Sequence, residues 1–154
     1  MTDRVEIYNN TVKVYYRNNK RHRDNDLPAI ECPDGNKEWY IDDKRHRDGG
    51  LPAVQRSSGD KEWWVDGKLH RDGGLPAVVW GDERLKEWYI DGKRHRDGGL
   101  PAVEWDDGSK EWWVNGKRHR DGGLPAVERY DGTKEWYVNG TEITEEQSKF
   151  MYMK

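Results

Sequence analysis

The 154-residue sequence has little of what usually holds a soluble domain together. Hydrophobic residues make up only 32% of it, phenylalanine occurs once, and charged residues make up 37%. A chain with so little apolar surface often stays disordered, because hydrophobic burial does not offset the loss of chain entropy. The single cysteine, Cys32, excludes an internal disulfide framework and a cysteine-rich zinc site.

An excess of one charge and long hydrophobic runs are also missing. The 27 Lys and Arg residues nearly balance the 30 Asp and Glu residues, so the charge pattern of a duplex-binding protein is absent. No run of 18 apolar residues occurs, which predicts that no helix spans a membrane. Residues 1–6 do not contain the apolar segment of a signal peptide. We therefore expect a cytoplasmic protein.

The aromatic residues argue against disorder. The chain has nine tryptophans and eight tyrosines, and aromatic doublets recur every 24 or 25 residues. These doublets are Tyr15-Tyr16, Trp39-Tyr40, Trp63-Trp64, Trp88-Tyr89, Trp112-Trp113 and Trp136-Tyr137. A His-Arg-Asp tripeptide and a Leu-Pro-Ala tripeptide follow each of the first five doublets. The chain is therefore predicted to be a repeat array with a thin aromatic core.

Each unit is predicted to form antiparallel strands. Residues 110–114 are rich in aromatic and β-branched types, and Asn115-Gly116 is a preferred pair for a type I′ hairpin turn. The return strand, 117–120, is interrupted by a Gly-Gly pair and resumes at 124–128, where Pro125 cannot donate to a ladder. The predicted fold is all-β, an elongated antiparallel meander of hairpin repeats of about 24 residues.

Side-chain alternation assigns two faces to these strands. Trp112 shares a face with Val114, and we expect both to form the core together with the Leu-Pro-Ala-Val segment. Trp113 shares the opposite face with Glu111. The second aromatic of each doublet is therefore expected to be more exposed than the first.

The two ends differ from the repeat, as the caps of repeat proteins do. Residues 1–14 are predicted to form an N-terminal capping hairpin, and residues 15–140 an array of five full units and a final aromatic strand. Residues 141–154 are predicted to form a helical cap, because Thr144 and Gln147 match a capping box. We expect Phe150 and the neighbouring methionines to cover the last strand.

The unit resembles a divergent MORN (membrane occupation and recognition nexus) repeat. Trp112, Gly116 and His119 stand in the phase of that family's aromatic, glycine and His-Gly positions, although His-Arg replaces His-Gly here. The pattern over about residues 11–140 is also similar to repeat proteins of bacteriophages and large DNA viruses. The resemblance implies a β-hairpin interaction scaffold and a viral or phage protein, which would act in the host cytoplasm if viral.

No motif predicts catalysis or metal binding. His-Arg-Asp occurs five times, so we interpret it as a structural consensus and not as the catalytic loop of a kinase. Histidines on successive hairpins lie roughly 9.6 Å apart, too far to share an ion held at about 2.0–2.2 Å. The sequence predicts no enzymatic activity, no cofactor and no metal.

The leading functional hypothesis is a non-enzymatic accessory protein that binds, and inhibits, a host or viral protein. Trp, Tyr and Arg dominate the hot spots of protein interfaces. Leu69 stands where other units have Arg, and the turn after Trp80 is one residue longer than in the other units. The candidate binding residues are Trp64, Tyr89, Trp113, Arg71, Arg96, Arg120, Leu69 and Trp80.

Two other functions remain open, and so does a purely structural role. Rows of Arg and aromatic side chains suit the sequestering of a nucleotide or nucleic acid. Wall-binding carbohydrate modules are also rich in Trp and Tyr. In the structural interpretation, the same rows join the strands through cation–π contacts and salt bridges. The oligomeric state is not defined by the sequence.

Overall fold

The chain folds as an antiparallel meander that ends in a short helix, which confirms the predicted fold class. The computed structural model describes residues 2–153. Lys20–Arg21 adds a short side strand to Val12–Arg17. The other strands of the main sheet follow one another in chain order: Asp3–Tyr8, Val12–Arg17, Ile30–Glu31, Lys37–Glu38, Val54–Gln55, Lys61–Glu62, Val78–Trp80, Leu85–Glu87, Val103–Trp105, Lys110–Glu111, Val127–Glu128, Lys134–Val138 and Thr141–Ile143.

A second row of small hairpins lies outside the main sheet. They are Tyr40–Ile41 with Lys44–Arg45, Trp64–Val65 with Lys68–Leu69, Tyr89–Ile90 with Lys93–Arg94, and Trp113–Val114 with Lys117–Arg118. The return strand is therefore shorter than expected, and each unit contributes two hairpins instead of one. Gly122 and Gly123 both adopt left-handed backbone angles, so the chain turns there and a new hairpin begins at Val127.

The predicted type I′ turns are present. Asn115 and Gly116 have φ angles of 50° and 80°, and the other aromatic hairpins turn on the same left-handed pair. Successive small hairpins are then joined through their backbones. The Gly116 N–H donates to the carbonyl of Arg94 at 2.9 Å, and Gly140 repeats this contact with Arg118.

Strand register divides the main sheet into two faces. The face that we call the Glu face carries alternating apolar and acidic side chains, because Val54 lies opposite Glu62 and Glu62 lies opposite Val78. The opposite face, the Lys face, alternates basic and acidic side chains over most of its length. Its row is Lys13, Glu31, Lys37, Gln55, Lys61, Val79, Lys86, Glu104, Lys110, Glu128 and Lys134.

The buried residues lie on both sides of the main sheet: Val54, Val78, Val103 and Val127 on the Glu face, and the first aromatics on the Lys-face side, beneath the loops that follow each His-Arg pair. The first aromatics of the four central doublets, Trp39, Trp63, Trp88 and Trp112, are only 5–8% exposed, as expected. The Trp63 indole N–H donates to the Gly50 carbonyl at 2.8 Å, which holds the preceding loop against the ring. The alanine of every Leu-Pro-Ala segment is completely buried beside these rings.

Two expectations about the core are wrong. The leucines of the five Leu-Pro-Ala segments are 43–50% exposed, because the chain turns at the left-handed pair before each of them, Asn25-Asp26 in the first unit and Gly-Gly in the others, and directs them away from the sheet. Val65 and Ile41 are also exposed, although they alternate in phase with the buried tryptophans. Both lie next to the turn of a small hairpin, where no loop covers them.

The C-terminal cap forms as a helix, but it packs through different residues than expected. The helix spans Glu145–Tyr152 and begins at the predicted capping box of Thr144 and Gln147. Phe150 is 80% exposed, so the expectation that it covers the last strand is wrong. The helix instead lies against the last Gly-Gly turn. A Cβ added to Gly123 would lie within 3.7 Å of Ser148 and Tyr152.

We expect Trp112→Ala to destabilise the protein more than Trp113→Ala. Trp112 is buried and its removal leaves a cavity that costs about 3–5 kcal/mol, whereas Trp113 is only half-buried. Denaturant melts of the two variants measure the difference. Equal losses of unfolding free energy would contradict the assignment of the aromatic core.

Candidate functional site

The eight candidate residues do not form one surface. Trp64, Tyr89, Trp113, Leu69 and Trp80 belong to the Glu face, since strand alternation and hydrogen bonds place them beside the inner glutamates. Arg71, Arg96 and Arg120 lie on the other side, stacked on Trp63, Trp88 and Trp112. The expected surface of arginines beside the second aromatics is therefore not present in this form.

The second aromatics are bonded to the inner glutamates of the Glu face. The indole N–H of Trp64 donates to Glu62 at 2.7 Å, and the Tyr89 hydroxyl donates to Glu87 at 2.9 Å. Glu87 is itself buried. Trp64, Tyr89 and Trp113 are more exposed than the first aromatics of their doublets, as expected, whereas Tyr40 is as buried as Trp39 and contradicts that expectation.

Arginines alternate with these rings along the array. The Arg94 guanidinium lies 5.7 Å from the Tyr89 ring centre and 5.2 Å from that of Trp113. Arg118 continues the row between Trp113 and Tyr137. These distances are in the range of cation–π attraction. Leu69 stands at the place of the arginine between Trp64 and Tyr89.

The inner glutamates explain why Leu69 is tolerated. Where the small hairpin supplies an arginine, it pairs with the glutamate of its own unit: Arg45 with Glu38, Arg94 with Glu87, and Arg118 with Glu111, at 2.7–3.0 Å. Glu62 is paired from the opposite side instead, by Arg56 at 3.5 Å.

The same exchange occurs at the C-terminal end. Glu142 replaces the hairpin arginine opposite Tyr137, and Arg129 pairs with Glu135 at 2.6 Å. Each of these five glutamates therefore has one arginine, drawn from one of two positions. Because Arg56 compensates for Leu69, this break in the array has a structural explanation.

The histidines connect successive units. His95 Nδ1 accepts the backbone N–H of Asn115 in the next unit at 3.1 Å, and its Nε2 lies 2.9 Å from Asp97. In this arrangement Nδ1 serves as the acceptor for the following unit, and Nε2 faces the carboxylate of its own unit. All five histidines repeat this contact with the turn of the following unit.

A cluster of metal-binding side chains and a membrane-spanning helix are both absent from residues 2–153. Over residues 2–153, His, Cys, Asp and Glu side chains do not come together in a group of three or more that suits a metal ion. The helical segments in the same range are too short or too polar to cross a membrane.

An apolar cluster interrupts the Glu face in the middle of the array. Trp80 lies opposite Leu85, and Leu85 lies opposite Trp105 on the next strand. Trp80 is 42% exposed, and its indole N–H donates to Glu87 at 3.1 Å. We call these three residues the central apolar cluster.

Trp105 is the counterpart of Trp80 in the next unit, and the other units carry different side chains at these positions. The remaining counterparts of Trp80 are Cys32, Arg56 and Arg129, and those of Leu85 are Asn36, Asp60, Ser109 and Thr133. The extra residue of this unit lies between Trp80 and Leu85, where the chain forms a short 3₁₀ turn, Gly81–Glu83. Sequence reasoning found Trp80 through this longer turn but missed Leu85 and Trp105, which a position-by-position comparison of the units would have shown.

Comparisons with known proteins add no relative. No family model matches the chain, and neither a curated protein nor a solved structure matches it. The resemblance to MORN repeats therefore rests on the residue pattern alone and stays a prediction.

We expect Arg56→Ala to destabilise the protein and Leu69→Arg to restore it. Removing Arg56 leaves the largely buried Glu62 carboxylate without its cation, at a cost of about 1–3 kcal/mol. An arginine at position 69 would pair with Glu62 as Arg45 pairs with Glu38 and Arg94 with Glu87. Urea melts of the two single variants and the double variant measure this coupling. A double variant as unstable as Arg56→Ala would contradict the exchange of arginines.

We expect Tyr89 to contribute to alkaline unfolding. Burial, followed by the adjacent Glu87 carboxylate, raises the pKa of Tyr89 to about 12, against about 10 in an unfolded chain. The stability that depends on the neutral phenol is therefore full below about pH 10 and is lost as the pH rises towards 12. Unfolding free energies of Tyr89→Phe should fall less steeply over this interval than those of the parent, whereas Tyr130→Phe, at an exposed ring, should follow the parent curve.

Proposed function

We propose that the protein is a non-enzymatic scaffold that binds a partner protein through the central apolar cluster. The observation that carries this proposal is the exposure of Trp80. Trp80 lies beside Leu85 and Trp105 on three adjacent strands, on a face whose other side chains are mostly charged or buried. Exposed apolar patches on soluble proteins commonly mark interaction sites. Tryptophan is also among the residues that contribute most to interface affinity.

The cluster is held in a fixed geometry. The hydrogen bond from Trp80 to the buried Glu87 fixes the indole, and Glu87 is fixed in turn by Arg94 and Tyr89. A partner then binds a side chain that is already ordered, which lowers the entropy lost on association. An apolar partner surface, such as an exposed face of aliphatic side chains, suits this cluster.

The remaining candidates support a structural role more than a binding role. The polar atoms of Trp64, Tyr89 and Trp113 are bonded to glutamates, and arginines stack along most of the row. A nucleic-acid groove needs free arginines and open ring faces, and these groups are mostly engaged within the array. Inhibition of a host or viral protein, a viral or phage origin and a cytoplasmic location remain predictions from the sequence.

Trp80→Arg tests the proposal with little effect on the fold. Arg56 and Arg129 occupy this position in other units, so an arginine fits at position 80, where it would join Arg94 beside Glu87. Immobilised parent and variant are incubated with cell lysate, and captured proteins are quantified by mass spectrometry. We expect a partner whose capture falls at least about tenfold in the variant, as for the loss of an interface hot spot.

Tyr130→Ala is the matched control. Tyr130 is 74% exposed and lies in the corresponding turn two units after Trp80. Capture that Trp80→Arg leaves unchanged would contradict the proposal, as would capture lost equally in both variants. Sedimentation of the purified chain tests a second copy as the partner, since a dimer that Trp80→Arg abolishes would show self-association.

A further inference from the structure

The arginines that follow the five histidines share one environment on the Lys face. Each guanidinium lies 3.6–3.8 Å above the first aromatic ring of its unit. Each also donates from Nη1 to the carbonyl of the proline five residues later, at 3.1–3.2 Å. The residues of this row are Arg23, Arg47, Arg71, Arg96 and Arg120.

Four of these five arginines also bind a carboxylate. Three pair with a glutamate eight residues later: Arg23 with Glu31, Arg96 with Glu104, and Arg120 with Glu128, at 2.8–2.9 Å. Arg47, which has Gln55 at that position, is held through Nε and Nη2 by Asp26 of the preceding unit at 2.7 and 2.8 Å.

Arg71 has neither kind of partner. Val79 stands eight residues later, and Gly50 stands where the preceding unit supplies Asp26. Among the described residues, its one hydrogen bond goes to the Pro76 carbonyl at 3.1 Å, and no carboxylate pairs with it. Burial alone lowers the pKa of Arg71, but a guanidinium stays charged in a protein. Arg71 is therefore a fixed cation whose Nε and Nη2 donors have no acceptor within residues 2–153.

The row of the Lys face also loses two acidic residues near Arg71, although Glu83 and Glu104 lie at the same groove. Gln55 and Val79 replace two consecutive acidic residues in the row of the Lys face, on either side of Lys61. Lys86 lies next in the row and pairs with Glu83 at 2.7 Å. The alternation of charge that continues towards both ends of the array is therefore broken here in favour of positive charge.

A groove opens at this place. Its volume is about 550 Å³, and it is lined by Arg71, Lys61 and Gln55 together with the apolar side chains of Pro52, Leu75 and Val79. The apolar wall and the single unpartnered guanidinium together suit a ligand with an apolar body and one anionic group.

We propose that this groove binds a carboxylate carried on an apolar group. The ligand carboxylate would accept from the free Nε and Nη2 donors of Arg71, as Asp26 accepts from those of Arg47. Arg–carboxylate pairs form readily in this geometry because the planar guanidinium presents parallel donors. Small organic acids and the C-terminus of a polypeptide both present this chemistry.

A carboxylate fits this site better than a phosphate of a nucleotide. Every other arginine of the row pairs with a carboxylate, three with a glutamate eight residues later and Arg47 with Asp26 of the preceding unit. Glu83 and Glu104 also line the groove and repel a dianion more strongly than a monoanion. Trp63 and Trp88 are buried beneath arginines, so their rings are not open for stacking of a base.

The experiment follows the Nε–H signals of the arginines by NMR during titration of the isotope-labelled full chain. The probes are phenylpropionate, a leucyl-phenylalanine dipeptide with a free C-terminus, the same dipeptide as its amide, inorganic phosphate and a short oligothymidylate. We expect saturable shifts of the Arg71 signal with the two carboxylates and none with the amide. Tighter binding of the dipeptide than of phenylpropionate indicates a polypeptide C-terminus as the source, and the reverse order indicates a small acid.

Two opposite substitutions give matched controls. Val79→Glu supplies the internal carboxylate that other units have, and it should weaken binding at Arg71 at least about tenfold, as expected when a charge-assisted hydrogen bond is lost. Glu104→Val removes the partner of Arg96, and it should create a second responsive signal at Arg96. Circular dichroism and thermal melts confirm that both variants are folded.

Three outcomes would overturn the proposal. They are the absence of a saturable shift at Arg71 with either carboxylate, the same shift in Val79→Glu as in the parent, and a shift by phosphate or oligothymidylate at lower concentration than by the carboxylates. Because the groove lies on the face opposite Trp80, the Trp80→Arg variant should bind these probes like the parent. The failure of one proposal therefore leaves the other unaffected.

Discussion

The structure depends on arginine side chains that cover aromatic rings while a carboxylate neutralises their charge. With only 32% hydrophobic residues, the chain cannot enclose its tryptophans in aliphatic side chains. Arg120 shows the solution: its guanidinium lies 3.6 Å from the centre of the Trp112 ring, donates to the Pro125 carbonyl and pairs with Glu128. A planar cation excludes water from the ring and keeps its own hydrogen bonds.

This arrangement constrains pairs of residues more than single positions. On the Glu face, a buried carboxylate without a cation is costly, so an arginine has to reach each inner glutamate from one side or the other. Arg56 meets this need where Leu69 has replaced the hairpin arginine, and Arg129 does so at the end of the array. The array therefore tolerates an apolar substitution at position 69 without losing its pattern of neutralised charge.

The parts of the fold that were predictable depend on neighbours in the sequence. The type I′ turn at Asn115-Gly116, the repeat period and the burial of Trp112 follow from local propensity and alternation. The second hairpin of each unit was not predicted, because a Gly-Gly pair indicates a bend but not where the chain goes after it. Nor was the burial of Glu111, since alternation shows which residues share a face but not what covers that face.

The same limit explains which parts of the candidate sites could be predicted. The longer turn in the sequence was enough to find Trp80. Arg71 differs from the other arginines of its row because it lacks a glutamate eight residues later, and only the fold shows that this glutamate is the partner. Departures from the repeat are therefore of two kinds: those that another residue compensates and those that no residue compensates. Leu69 is compensated by Arg56, so it needs no ligand to explain it. Trp80 and Arg71 lie in the same unit on opposite faces, and neither the exposure of the one nor the unpaired charge of the other is balanced by a neighbouring residue among 2–153.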